Sequence, residues 1–238
     1  MGIVNPVPGN RNMVITVPRF EQISSVWHGF GTRALSQENL RVHAKEKGLD
    51  LVLLDQIHSD RIHVLEGFPK TQLSGDAMLT VAPGLLLTIK TADCLPVLIL
   101  DERQKLIAAV HCGWRGTSQR LLQKVVVKMG DEFACEADDL WVALGPRIGP
   151  ECYEVGEDVR ECFAQAGLEA GLFRPHPEAQ GKYYFDLGLA NRKQLQACGV
   201  PDRNVFSIAG CTHCEKYLYS YRREHQTAGR LLNFIGLL

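Results

Sequence analysis

Apolar, β-branched runs recur along the chain at 13–18 (MVITVP), 51–56 (LVLLDQ), 61–66 (RIHVLE), 85–90 (LLLTIK), 95–100 (LPVLIL), 106–111 (LIAAVH), 140–145 (LWVALG) and 204–209 (NVFSIA). Each has the length of a strand and ends near turn-forming residues, so the pattern predicts a substantial sheet system. Between the runs, apolar residues return at helical spacing over 36–47, 117–129, 156–166 and 186–198, with Gly48, Gly130, Gly167 and Gly199 placed as C-terminal stops. Thr117 is the expected N-cap of the second of these helices, with Leu121, Leu122, Val125, Val126 and Met129 as its buried stripe. The strands cluster centrally and do not alternate strictly with helices. The expected fold is therefore mixed α+β, a central mixed β-sheet system with flanking helices, and not a doubly wound parallel sheet.

Length and charge narrow this picture. The 238 residues support a large core, and no linker, low-complexity tract or repeat divides them, so one domain over 1–238 is expected, with 1–20 as a peripheral N-terminal segment. A net charge of −1 without a dense Lys/Arg block disfavours a nucleic-acid or membrane partner, while a local basic pocket for a small anion stays compatible with it. The start MGIVNPVPGNRNM lacks the basic and apolar regions of a signal peptide, no later run is long enough to span a bilayer, and Pro6 stands where a myristoylation motif needs Ser or Thr. A cytoplasmic protein is expected, with monomer and homodimer both open. In that compartment the eight cysteines are expected to be reduced thiols.

Three segments carry candidate chemistry: QIHSDRI around His58, TIKTADC ending at Cys94, and AAVHCGWRGT around His111. Each places a borderline or soft ligand beside an apolar run, and a side chain at a strand end projects from a firmly held position. Two imidazoles and one thiolate suit zinc, with copper second, and three protein ligands leave a fourth position for water or substrate. Cys112 points to the opposite strand face from His111 and is not the expected thiol. Beyond it, Gly113 to Thr117 reads as a turn into a helix start, where backbone amides and Arg115 would hold an anion. Asp76 and Asp93 are further candidates for orienting a ligand or handling a proton.

The loop CTHCE, 211–215, contains both CxxC and HxE, but these overlap, whereas a zinc deaminase places them on separate helices and precedes the CxxC with proline. It reads as a cysteine-bearing loop, with Cys211 and Cys214 dispensable. LGPRIGPECYEVG, 144–156, reads as a rigid loop after a strand, and YSYRRE, 219–224, as a surface strand. With Arg115 and Arg147 they are candidates for lining a pocket that stacks a base and holds an anionic group.

Taken in order, QIH (56–58), GDAMLT (75–80), TADCLPVLI (91–99), AAVHCGWRGT (108–117), LGPRIGPECYEVG and YSYRRE resemble the motifs of the YfiH-like, or laccase-domain, family from about Trp27 onward. The resemblance implies a single domain, similar also to the Cys/His deamidase domain of cytotoxic necrotizing factor toxins. It implies zinc held by His58, Cys94 and His111, which are then the catalytic residues, and phosphorolysis of adenosine, inosine and methylthioadenosine with adenosine deamination as a companion. Arg115, Thr117, Asp76, Arg147 and Arg33 are the expected substrate-binding residues, for a small-molecule nucleoside and phosphate. Two other family activities stand as alternatives: copper-dependent polyphenol oxidation, and a Cys/His-type hydrolysis that edits a peptidoglycan precursor. The chain departs from the family pattern after GFGTR (29–33), where the SLNLG-like segment is missing and the usual ENR is replaced by Glu38, Asn39 and Leu40, with Arg41 one place later.

Overall fold

In the computed structural model, which describes residues 2–4 and 13–238, the apolar runs form two stacked sheets. The chain begins with β1 (Gly2–Val4), β2 (Val14–Ile15), α1 (Pro18–Glu21), β3 (Val26–Gly31), α2 (Gln37–Glu46), β4 (Asp50–Asp55), β5 (Ile62–Val64), β6 (Leu73–Ser74) and β7 (Ala77–Thr80). The central strands β8 (Leu85–Thr91), β9 (Leu95–Asp101) and β10 (Leu106–Cys112) come next. Then follow α3 (Trp114–Ser118), α4 (Leu121–Phe133), β11 (Leu140–Leu144), β12 (Glu154–Gly156), α5 (Glu157–Gln165), β13 (Phe173–Pro175) and β14 (Lys182–Phe185). The last elements are α6 (Leu187–Ala197), β15 (Val205–Ile208), α7 (Tyr221–Glu224) and β16 (Leu231–Leu237).

One sheet has the order β1-β15-β11-β9-β10-β7-β5 and the other β2-β3-β16-β8-β4-β6; both are mixed, and β12-β14-β13 form a small third sheet. Strand alternation explains the layering. In β10, Leu106, Ala108, Val110 and Cys112 pack with α4, α5 and α6, while Ile107 and Ala109 face the second sheet alongside Leu87, Ile89 and Ile235. Strands β9 and β10 are therefore covered on both faces and read as unbroken apolar runs. Helix α2 covers the outer face of the second sheet through Leu40 and Ala44.

This arrangement bears out the single mixed α+β domain. The segment 1–20 is a partial exception to its expected peripheral place: residues 1 and 5–12 lie outside the described residues, but Val17 and Phe20 are fully buried in the inter-sheet core.

Gly48, Gly167 and Gly199 sit at positive φ just beyond their helices, as stops require. Gly130 is not a stop. Helix α4 runs through it to Phe133 and ends at Ala134 with φ 54°, because Met129 and Phe133 continue the packed stripe and outweigh the roughly 1 kcal/mol that a mid-helix glycine costs.

Thr117 is not an N-cap either. The backbone breaks at Arg120, φ 61°, so Thr117 falls inside the five-residue α3 and α4 starts only at Leu121. Within YSYRRE, Tyr221–Glu224 form the short helix α7, not a strand, and the Ser220 hydroxyl caps it by accepting from the Arg223 N–H.

Candidate functional site

The site lies where the two sheets exchange the chain. Strand β8 belongs to one sheet and β9 to the other, and the corner between them, Ala92–Asp93–Cys94, needs the positive φ of 90° found at Asp93. The corner is held firmly. Asp93 accepts from the Thr212 hydroxyl and from the Arg222 N–H, both at 2.6 Å, and its own carbonyl accepts from the Ile148 N–H at 3.0 Å. Cys94 thus projects from a braced turn, while His111 projects from the end of β10 with its backbone N–H on the Asp76 carbonyl at 2.8 Å.

His58 arrives from the loop after β4 in a left-handed conformation, φ 57°. A histidine in that region needs local support. It comes from Asp76, fully buried, whose carboxylate accepts from the backbone N–H groups of Ile57, His58 and Ser59 at 3.4, 3.1 and 2.6 Å and from the Ser59 hydroxyl at 2.8 Å. The same carboxylate accepts from Nδ1 of His111 at 2.8 Å. Burial works against its charge, yet the bonds from His111 and Ser59 outweigh it and hold the Asp76 carboxyl at about 2.

The three ligand atoms, one from each of His58, Cys94 and His111, lie within 4.8 Å of one another, and the two imidazole rings meet edge-on with centroids 4.9 Å apart. With Nδ1 of His111 fixed by Asp76, its Nε2 is the nitrogen free to ligate. Burial lowers the basicity of His111, but Cys94 and Asp76 more than reverse this and raise it to about 9. Burial and the positive charges of His111, Arg115 and Arg230 depress His58, with Asp76 opposing them. The donor set, its spacing and the Asp76 carboxylate behind His111 fit a zinc-type cation with one open position, and copper would be served by the same donors. Gly113 completes the fit: a Cβ there would stand 2.8 Å from Nδ1 of His58 and 3.3 Å from Sγ of Cys94.

A cavity of about 870 Å³ opens over the cluster. Its walls include Trp114, Arg115, Tyr153, Tyr221, Arg222 and Arg230. The Arg115 guanidinium lies 4.4 Å above the Trp114 ring, and Arg222 is fixed by its bond to the Glu154 carbonyl at 2.7 Å.

The expected substrate residues divide on this map. Arg115 lines the cavity and Asp76 lies beneath the histidines as their orienting group. Thr117 is buried against α6, bonded to Asn191 at 3.1 Å and, through its carbonyl, to Gln194 at 2.8 Å, so it does not reach the cavity. Arg147 bonds to Ser207 and lines a separate cleft. Arg33 pairs with Glu224, donates to the Leu218 carbonyl and stacks over Tyr219, bracing the 217–224 segment from behind. Arg41 pairs with Glu38 on the exposed side of α2.

Arg230 carries no local signal in the sequence; Tyr153 enters there only within the 144–156 loop, and Gly113 only as the start of the anion turn, not as a neighbour of His58 and Cys94. Cys112 is fully buried in the helix-side core, as strand alternation requires. No helix among the described residues is long and apolar enough to cross a membrane.

The chain is similar to several known proteins. The family described as multi-copper polyphenol oxidoreductase laccase matches residues 11–238. A purine nucleoside phosphorylase of Bacteroides thetaiotaomicron is 39% identical over 67% of this chain, and the chain spans only 60% of that relative's length. A purine nucleoside phosphorylase of Deinococcus radiodurans is 38% identical over 79% of this chain and 70% of its own, and an adenosine deaminase, RL5, from an unknown prokaryote is 36% identical over 79% of this chain and 74% of its own. Among solved structures, a hypothetical protein YfiH of Bacillus licheniformis superposes with a TM-score of 0.86 at 25% identity, covering 95% of this chain and 97% of that one. YlmD of Geobacillus stearothermophilus superposes with a TM-score of 0.82 at 26% identity, covering 96% and 97%.

Proposed function

This chain belongs to the family described as multi-copper polyphenol oxidoreductase laccase, and from that premise we propose that it is a zinc-dependent purine nucleoside phosphorylase acting on adenosine, inosine and methylthioadenosine, with adenosine deamination as a companion reaction. The observation that carries this reading is the convergence of His58, Cys94 and His111 on one cavity whose rim also holds Arg115, Arg222 and Arg230. The names of the similar phosphorylases and of the adenosine deaminase support it.

Phosphorolysis replaces the C1′–N9 bond of the nucleoside by a C1′–O bond to phosphate, and the bond pair leaves with the base, which needs a proton or a nearby positive charge. The anion must wait beside the sugar without its own hydration shell. Arg115 and Arg230 are the groups assigned to hold it, because both guanidinium groups line the same cavity as His58. Tyr153, Tyr221 and Trp114 give the same cavity aromatic surface for a purine. Asp76 keeps His111 in one orientation and one tautomer throughout. A cation held by His58, Cys94 and His111 would supply Lewis-acid polarisation of the purine, or of water in deamination.

Polyphenol oxidation is the competing reading, prompted by the family's description. Among the described residues the one group of candidate ligands that contains histidine is His58, Cys94 and His111, whereas reduction of dioxygen by several coppers draws on several His-rich clusters.

Adenosine supplied with and without phosphate, with adenine, inosine and ribose 1-phosphate quantified separately, tests the proposal. Ribose 1-phosphate and adenine should form only with phosphate, and inosine in either case. Absence of ribose 1-phosphate, together with phenol oxidation by the copper-loaded protein, replaces the phosphorylase with the oxidase.

A further inference from the structure

A second group of potential ligands lies outside the cavity. Cys152, in the loop after β11, meets Cys211 and Cys214 of the CTHCE loop, and the three sulfurs lie within 4.8 Å of one another. Cys152 and Cys214 are 3.5 Å apart. A cation bound at about 2.3 Å to each of three thiolates requires sulfurs roughly 3.8–4.0 Å apart, so the spacing needs only small side-chain adjustments.

The loops are held by backbone, not by the cysteines alone. Arg147 and Cys211 form a parallel β-bridge, and the Thr212 N–H donates to the Arg147 carbonyl at 3.0 Å. The Gly149 N–H donates to Sγ of Cys211 at 3.0 Å, and a Cβ at Gly149 would already touch that sulfur at 3.4 Å. Between Cys211 and Cys214 the chain turns with the N–H groups of Cys214 and Glu215 on the Cys211 carbonyl. A CxxC turn joined by a cysteine from a facing loop supplies three of the four thiolates of a four-cysteine site.

We propose that Cys152, Cys211 and Cys214 form a second metal site, selective for a thiophilic cation, Zn(II) or Cu(I). The three cysteines supply three thiolates, and a fourth ligand would come from solvent beside exposed Cys214. The site's place in the fold gives it a task. Cys152 precedes Tyr153 in the cavity wall, and Thr212 carries the bond to Asp93 that braces the Cys94 corner. A cation there would clamp together the two loops that shape one side of the cavity.

The test uses the full chain, reduced and stripped of metal, titrated anaerobically with Co(II) in a Cys94→Ala background. About one equivalent should bind with intense thiolate-to-cobalt charge-transfer absorption, and Cys152→Ser/Cys214→Ser added to that background should abolish both. Circular dichroism of each variant checks the fold. Elemental analysis of protein from zinc- and copper-supplemented cultures names the ion, and either ion in the second equivalent supports the site. Absorption that survives the double serine change overturns the proposal. So does rapid alkylation of Cys214 in zinc- or copper-loaded protein, or recovery of Cys152–Cys214 as a disulfide from reduced cells. None of these readouts depends on nucleoside turnover.

Discussion

Oδ1 of Asp76 accepts from Nδ1 of His111 at 2.8 Å, and the same buried atom accepts from the backbone N–H of His58 at 3.1 Å. One carboxylate therefore sets both histidines, one through its ring and the other through its main chain. Asp76→Asn keeps the volume but replaces one acceptor oxygen with a donor. Zinc affinity, measured by chelator competition, should fall about 10- to 100-fold, the usual effect of losing a group that orients a ligand. An unchanged affinity would mean that the three ligands hold their positions without it.

Cys94 and Cys112 make a matched pair of controls. Cys94→Ala should abolish zinc binding by the His58–Cys94–His111 site. Cys112→Ala should leave zinc there and cost about 1–2 kcal/mol of stability, because its thiol is fully buried among the packing residues of α4 and β10. Elemental analysis with a denaturant melt reads both, in protein whose Cys152, Cys211 and Cys214 are changed to serine so that one site is counted. Equal zinc loss from the two changes would contradict the assigned ligand set.

Gly113→Ala should act sterically. The residue has ordinary backbone angles, φ −77° and ψ 167°, so alanine meets no conformational penalty. Its methyl carbon would stand 2.8 Å from Nδ1 of His58, closer than van der Waals contact allows. Zinc affinity should drop about tenfold or more while the melting temperature stays near wild type; a variant that binds zinc normally would show that His58 can yield at no cost.

Much of this architecture was legible because both main cores are built by alternation. The eight apolar runs all contain strands, and His58, Cys94 and His111 stood out as unusual residues at their ends. Strand β16 escaped notice since Asn233 and Gly236 interrupt its apolar character. Asn233 is nonetheless fully buried, with its amide donating to Thr91 at 3.0 Å. Strand β3 escaped for a related reason: Gly29 and Gly31 lie in it where Val14 and the Leu232 carbonyl press close. The anion site was misread at Thr117, because a single left-handed residue, Arg120, splits one helical pattern into two helices. The approach of Cys152 to Cys211 joins loops far apart in the chain, and local spacing carries no trace of it.

Acid stability should depend on His28. It is buried in β3, its Nε2 accepts the Val17 N–H at 2.8 Å, and burial lowers its pKa to about 4, with Glu21 opposing. The unfolded chain titrates near 6.5, so between roughly pH 6.5 and 4 it binds a proton that the folded chain refuses. Stability is full above that window and declines as pH falls through it, by a ceiling of about 3 kcal/mol. His28→Gln, which still offers an acceptor to Val17, should flatten the slope of denaturant-derived stability between pH 6.5 and 4.5. An unaltered slope would assign the acid response to other groups.

Arg115 is exposed at the cavity rim and kept in place by its stacking on Trp114 at 4.4 Å, so its removal tests the anion site without disturbing the metal. Arg115→Ala should weaken the apparent affinity for phosphate by about 1.5–3 kcal/mol, the scale of a hydrogen bond to a charged group. Arg230→Ala should act in the same direction and more weakly, because that guanidinium is partly engaged by the carbonyls of Ala228 and Gly229. Zinc content should stay constant in both, since neither residue is among the candidate ligands. Deamination of adenosine needs no anion beside the sugar and should lose much less than phosphorolysis. Steady-state assays that vary phosphate at saturating adenosine separate the two reactions. Equal losses in both would move the arginines from phosphate binding to general shaping of the cavity, and with them the main electrostatic argument for a phosphorylase.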